Sequence, residues 1–127
     1  PIYQSPDAMT TPSDSFSFEA AVERPLSVVF RRPDGAWEGH DYLVEVVAGR
    51  EGLDAMDVVV DFRDLEAALD ALLAPMQGRL LSDLGLDGPL ALAEKLARDL
   101  APTLRAPARL VSVALVDGRG RRLAVKA

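Results

Sequence analysis

The segment DGAWEGHDYLVEVV, residues 34–47, carries a carboxylate, the chain's one histidine and a tyrosine at alternate positions. In a β-strand, residues i, i+2 and i+4 share a face, so Glu38, His40 and Tyr42 are expected to point the same way. A carboxylate beside an imidazole favours its protonated form, and such a pair can exchange protons with a bound molecule. The spacing therefore indicates an acid/base pair, part of a metal site, or an ordinary half-buried strand.

The composition excludes several functional classes. The 127 residues carry a formal net charge of −6, whereas nucleic-acid binding needs a basic face that neutralises phosphates. The absence of cysteine removes disulfides, thiolate metal ligands and cysteine nucleophiles. No apolar run approaches the ~20 residues of a membrane span and no signal peptide is visible, so we expect a soluble, cytoplasmic protein without membrane partners. Basic side chains expected at solvated strand ends and turns are Arg105, Arg109, Arg119, Arg121, Arg122 and Lys126.

Hydrophobic periodicity predicts two hairpins separated by two helices. The predicted strands lie at 16–23 (continuing or restarting at 26–32), 37–49, 108–117 and 121–127, and the helices at 63–76 and from Pro89 to Leu100. Each amphipathic helix must bury its apolar stripe, so we expect an α+β fold: a four-stranded antiparallel sheet with both helices on one face. Asp61 is expected to cap or orient the first helix.

The sequence predicts an N-terminal tail followed by one domain whose sheet has free edges. Residues 1–14 are rich in Pro, Ser, Thr and Asp and are expected to be a flexible tail, or a remnant of expression ahead of Met9. Residues 15–127 then form one domain. A four-stranded sheet has two exposed edges and one helix-free face, and small proteins of this design often close them by forming homo-oligomers.

Several segments, taken in order, resemble motifs of the 6-pyruvoyl-tetrahydropterin synthase and 6-carboxytetrahydropterin synthase family. FSFEAAV resembles F-x-F-x-A-A-H, EGHDYLVEV resembles H-G-H-x-[YF]-x-V-x-V, and VVVDFRDLEAAL, the most specific segment, resembles M-V-x-D-F-x-x-L-K. APMQGRLLSDL and EKLARDL resemble two later motifs. The resemblance covers roughly Phe16 to Asp117. It implies the tunnelling fold, whose ββ-αα-ββ units join through sheet edges into rings, commonly trimers stacked into hexamers.

The chain departs from the family motifs at the positions of the zinc ligands and the catalytic residues. Three histidines hold zinc in the family, and the matching positions here are Val22, Glu38 and His40. A catalytic zinc site needs about three protein ligands, so we expect no metal and no cofactor. The family's catalytic cysteine matches Asp34, and its pterin-anchoring glutamate matches Asp117. The Asp-His pair of the family relay is replaced by Gln77 and Gly78.

These substitutions favour a zinc-independent enzyme that acts on a small molecule. The reaction we expect is acid/base dehydration (β-elimination) of a carbonyl-activated substrate, followed by conjugate addition and cyclisation, in natural-product biosynthesis of a GC-rich bacterium. The candidate catalytic residues are His40, Glu38 and Asp34, and the candidate substrate-binding residues are Tyr42, Asp117, Gln77 and Arg79.

Two other functions stay open from sequence. The chain is alternatively a non-catalytic ligand-binding or assembly protein, or a pterin synthase whose metal site is rebuilt with carboxylates. Several candidates also have structural interpretations. Asp34 and Asp117 suit turns, Tyr42 suits a packed aromatic position, and Arg79 suits a solvated surface.

Overall fold

The computed structural model of the chain describes residues 16–53 and 58–127, so the predicted tail lies outside the described residues. The elements are β1 (Phe18–Arg31), β2 (Trp37–Arg50), α1 (Phe62–Leu73), α2 (Pro89–Leu100), β3 (Arg109–Val116) and β4 (Arg122–Lys126). The strands form one antiparallel sheet in the order β1-β2-β3-β4. The predicted α+β fold, with its ββ-αα-ββ order, is confirmed.

Strands β1 and β2 form one long hairpin, 14 residues on each side. The pairing runs without a break from Phe18 opposite Arg50 to Arg31 opposite Trp37, so the first strand continues through Pro25 and does not restart. Proline is tolerated here because β1 is an edge strand and the backbone of Pro25 faces away from β2. Its carbonyl accepts a hydrogen bond from Nε2 of Gln77 on the outer side, so the missing N–H removes no bond to β2.

Both helices pack on the same face of the sheet. In α1, Leu65, Leu69 and Leu73 are buried, and in α2 the fully buried Leu96 belongs to a similar stripe. Each buried leucine contributes roughly 1.5–3 kcal/mol of hydrophobic stabilisation. The predicted cap is also confirmed, because Asp61 accepts a hydrogen bond of 2.9 Å from the backbone N–H of Arg63. No helix of the described chain is long and apolar enough to cross a membrane.

The outer edge of β1 is partly covered, which differs from the expectation of two exposed sheet edges. The segment 77–82 runs along it: Gly78 N–H donates to the Ser27 carbonyl at 2.7 Å, and Val29 N–H donates to the Arg79 carbonyl at 2.9 Å. This segment has no periodic pattern of its own, so hydrophobic spacing could not predict its position. It protects half of an edge that would otherwise offer unpaired backbone groups.

Candidate functional site

Glu38, His40 and Tyr42 lie on the helix-facing side of β2, as their alternate spacing predicts. The β1–β2 register places Glu38 opposite Phe30 and His40 opposite Val28, near the turn of the hairpin. Further along this face the side chains enter the core, where Tyr42 is only 7% exposed. The three candidate residues therefore extend from solvent at Glu38 to the buried core at Tyr42.

The imidazole of His40 contacts three of its neighbours. Its Nε2 lies 3.6 Å from Oε1 of Glu38, within ion-pair distance but longer than a hydrogen bond. Its ring is stacked on Tyr42, with ring centroids 5.5 Å apart and planes inclined by 10°, and it meets Phe30 at 5.8 Å in a tilted arrangement. The side chains of His40 and Glu38 are 31% and 51% exposed, so both remain accessible to a small molecule.

Tyr42 closes the inner end of this row. Burial, followed by the negative charges of Asp117 and Glu38, raises the pKa of its phenol above the ordinary value. The phenol therefore keeps its proton at neutral pH and can donate a hydrogen bond. A small depression of about 170 Å³, lined by Tyr42, Leu115, Asp117 and Arg121 among others, adjoins it. That volume is below the ≈300–1,000 Å³ of typical ligand pockets, so it accommodates only a small group.

Asp117 lies beside Tyr42 but is engaged in the β3–β4 turn. Its carboxylate accepts the backbone N–H groups of Arg119 and Arg121, each at 2.9 Å, and the Nε–H of Arg121 at 2.7 Å. The hydrogen bond from the Arg121 backbone is the largest of the effects that hold the pKa of Asp117 below its ordinary value. The structure thus brings Asp117 close to the candidate site while giving it a turn-stabilising role.

Asp34 lies apart from the imidazole, in the β1–β2 turn. Its Oδ1 accepts the backbone N–H of Ala36 at 2.9 Å, and its Oδ2 lies 3.3 Å from Nη2 of Arg32. These contacts match the Pro-Asp-Gly turn interpretation. The side chain is exposed beyond the last pair of the hairpin, and its partners among the described residues belong to the turn itself.

Gln77 and Arg79 lie along the outer edge of β1, on the far side of that strand from His40. Gln77 accepts the Ser27 backbone N–H at 3.1 Å through Oε1 and donates through Nε2 to the Pro25 carbonyl at 2.9 Å. Nη1 of Arg79 lies 3.5 Å from the Pro75 carbonyl. Two strand spacings, about 10 Å, separate this edge from β2. The hydrogen bonds of Gln77 hold the edge segment in place.

Phe30 belongs to the site although the sequence motifs do not indicate it. Its ring contacts His40 and its backbone pairs with Glu38. The signal that could have found it is the turn: with Pro33 to Gly35 at the tip, residues equidistant from the turn face each other across the hairpin. Phe30 supplies an apolar wall on the β1 side of the imidazole.

The sequence pattern of the family described as 6-pyruvoyl tetrahydropterin synthase matches residues 14–123. The chain belongs to this family. Among solved structures, that of Caenorhabditis elegans 6-pyruvoyl tetrahydropterin synthase is similar, with a TM-score of 0.65 at 16% sequence identity, covering 86% of this chain and 96% of that one. At this identity the likeness establishes the shared tunnelling fold alone. Among the curated proteins, no sequence matches the chain.

The side chains present do not fit the zinc of this family. The position that matches the first zinc histidine is Val22, which has no donor atom and pairs with Val46. It lies six residues along β1 from Val28, the residue opposite His40, or about 20 Å at strand geometry. Within residues 16–53 and 58–127 no three His, Cys, Asp or Glu side chains converge as metal ligands. The chemistry of the site is therefore derived from its own side chains.

Proposed function

We propose that the chain is a metal-independent acid/base enzyme that removes water from a small carbonyl compound by β-elimination. The observation that supports it is the contact of His40 with Glu38 at 3.6 Å, on a face that solvent reaches. The imidazole rests on Tyr42 and Phe30, which restrict its orientation. A positioned imidazole of this kind typically contributes 10²–10⁴-fold to the rate of a proton-transfer step.

In the proposed reaction His40 acts first as a base and then as an acid, while Tyr42 and Glu38 each have one role. Neutral His40 takes the proton α to the substrate carbonyl, and the C–H electron pair forms the enolate. The Tyr42 phenol donates a hydrogen bond to the developing oxyanion. The imidazolium, stabilised by Glu38, returns its proton to the β-hydroxyl, which leaves as water while the enolate collapses to a conjugated carbonyl. Addition of a nucleophile within the substrate to that product then closes a ring.

The substrate class follows from the groups available. Since the side chains do not fit zinc, polarisation of the carbonyl comes from one phenol, and the substrate must be acidic on its own account. A β-hydroxy carbonyl compound activated by a second carbonyl meets that requirement. Such compounds are common in natural-product pathways, which is where we place the enzyme.

We further propose a soluble, cytoplasmic homo-oligomer, a trimer or a hexamer. The outer edge of β4 and the first half of the outer edge of β1 carry no strand partner among the described residues. Free edges of this kind pair readily with a neighbouring chain. Family membership supports the same assembly.

The elimination is tested with a 2-(1-hydroxyalkyl)-1,3-dicarbonyl compound. Loss of water gives a conjugated product, whose near-ultraviolet absorbance is followed. We expect His40→Ala to lose about 10²-fold or more of the rate and Glu38→Gln to lose less. Asp41→Asn is the matched control: it removes a neighbouring carboxylate, bonded to Ser27 Oγ at 2.6 Å, that strand alternation places on the opposite face. A folded His40→Ala protein with the parent rate contradicts the proposal.

A second candidate function is a non-catalytic ligand-binding or assembly role. The observation in its favour is that three predicted site residues are held in structural hydrogen bonds: Asp34 and Asp117 in turns, and Gln77 at the edge of β1. It predicts that alanine at Glu38 and His40 leaves function intact, whereas disruption of the sheet edges abolishes it. The same variants therefore separate the two candidates.

A further inference from the structure

A second, larger cavity lies at the opposite end of the β1–β2 hairpin. Its volume is about 980 Å³, and it is bounded by the end of β2, the first turn of α1 and the chain from Thr103 to Ala108. Such a volume matches the upper range of small-molecule sites. His40 lies ten residues before Arg50 on β2, about 30 Å away along the strand. The cavity is therefore separate from the candidate acid/base site.

Arg50 is the distinctive side chain of this cavity. It is half-buried, and its Nη1 lies 3.5 Å from the Val58 carbonyl. Its Nε is buried and has no hydrogen-bond partner, the one buried side-chain polar atom in this condition within the described residues. A buried donor without an acceptor is costly and rare in folded proteins. An acceptor supplied by a bound molecule would satisfy it.

Two further guanidinium groups line the same cavity. Arg63 and Arg105 are exposed, and neither joins the ion pairs seen in the described chain. Three carboxylates, Glu19, Asp61 and Asp64, also line the cavity. The Asp61 side chain caps α1, Asp64 lies in the first turn of that helix, and Glu19 lies opposite Gly49, so strand alternation directs its side chain to the other face of the sheet from Arg50.

The cavity also offers an apolar surface. The ring of Phe62, the first residue of α1, is 50% exposed. Leu104, Pro107 and Ala108 line the other side of the cavity. An exposed aromatic ring near guanidinium groups suits a planar apolar group that carries a negative charge.

We propose that this cavity binds a small organic anion made of a flat apolar ring and an oxyanion, either a phosphate or a carboxylate. The oxyanion accepts hydrogen bonds from Arg50, including one from its Nε, in the planar fork arrangement that guanidinium groups favour. The ring lies against Phe62, and Arg63 and Arg105 balance the remaining negative charge. This assignment is independent of the chemistry proposed at His40.

The test is an NMR titration of the isotope-labelled protein with four probes: phenyl phosphate, benzoate, benzyl alcohol and inorganic phosphate. We expect saturable shifts at the Nε–H of Arg50 and at the amides of residues 62–65 and 105–108 with phenyl phosphate or benzoate, and the stronger of the two identifies the oxyanion. Benzyl alcohol, which lacks the charge, is expected to bind at least about tenfold more weakly. Equal binding of benzyl alcohol, or shifts that do not saturate, overturns the proposal.

Variants of Arg50 and Phe62 test binding of the oxyanion and of the apolar ring separately. Arg50→Met is expected to weaken the better aromatic anion at least about tenfold, whereas Arg119→Met, an equal charge change in the distant β3–β4 turn, changes binding less than about twofold. Phe62→Ala, which removes a half-exposed ring, is expected to weaken binding of the aromatic anion and to leave binding of inorganic phosphate unaffected. Unchanged binding of the aromatic anion by Phe62→Ala or by folded Arg50→Met contradicts the assignment.

Discussion

The rings of His40 and Tyr42 lie 5.5 Å apart and almost parallel, with an interplanar angle of 10°. Because Tyr42 is buried on the helix-facing side of β2, it forms a fixed platform, and the imidazole above it is restricted to orientations near Glu38. His40 is therefore accessible to a small molecule, while the buried Tyr42 holds its ring in a fixed position. This pair of rings is the feature on which the proposed acid/base site depends.

The ionisation of Tyr42 provides a first prediction. Burial and the charges of Asp117 and Glu38 raise the pKa of its phenol above the ordinary 10.0, so the folded state holds this proton more tightly than the unfolded chain. The corresponding stability is fully present below about pH 10 and is lost as the pH rises through the raised pKa. In an absorbance titration of phenolate, Tyr42→Phe is expected to remove the transition at the higher pH. A wild-type titration with no transition above the ordinary range contradicts this.

Acid stability depends in part on Asp117. Hydrogen bonds from Arg121 and Arg119 lower the pKa of this carboxyl below its ordinary 3.8. The contribution is present above that ordinary value and is lost as the pH falls through the lowered pKa. We expect Asp117→Asn to melt at a lower temperature than the wild type at pH 7, with the difference shrinking below about pH 4. Thermal unfolding followed by circular dichroism measures both, and a difference independent of pH would argue against it.

The core is tested by a pair of leucines on α2. Leu96 is fully buried, whereas Leu90 on the same helix is 53% exposed. We expect Leu96→Ala to lower the free energy of unfolding by about 3 kcal/mol and Leu90→Ala by less than about 1 kcal/mol. Urea denaturation gives both values. Similar losses for the two variants would show that α2 does not pack through the Leu92, Leu96 and Leu100 stripe.

The covered edge of β1 gives a further prediction. Gln77 bonds to Ser27 and Pro25 through both ends of its amide, so Gln77→Ala is expected to cost about 1 kcal/mol of stability and to loosen the edge segment. Hydrogen exchange at the Ser27 amide should accelerate. The control is Glu94→Ala, which truncates an exposed side chain on α2. An unchanged exchange rate at Ser27 would mean that the segment is held by other contacts.

Structural features that depend on residues close together in the sequence were predicted best. Helices α1 and α2, the β-strands and the Asp61 cap are encoded by local spacing, and each is found close to its predicted position. The end of α1 differs slightly: the helix was expected to reach Met76, but it ends at Leu73 and tightens into a 3₁₀ turn at Pro75. Proline has no N–H for the helical ladder, and helix ends are the least certain feature of such predictions.

Contacts between distant segments were not predictable in the same way. The edge segment around Gly78 bonds to Ser27 across about fifty residues, and the cavity beside Arg50 is assembled from four separate parts of the chain. The shared face of Glu38, His40 and Tyr42 needed only the period of a strand. The turn bonds of Asp34 and Asp117 were foreseeable from turn chemistry, yet motif matching alone assigned both residues to the site.

The most direct test of the acid/base site is the exchange of substrate α-protons with solvent, since it isolates the step assigned to His40. A 2-(1-hydroxyalkyl)-1,3-dicarbonyl compound, which carries the second carbonyl that the proposed chemistry requires, is incubated in D₂O with wild-type protein or the His40→Ala, Glu38→Gln and Asp41→Asn variants, and deuterium incorporation above the protein-free rate is followed by proton NMR. The proposal predicts catalysed exchange by wild type and Asp41→Asn, with a loss of about 10²-fold or more in His40→Ala. Equal exchange by wild type and folded His40→Ala would contradict it.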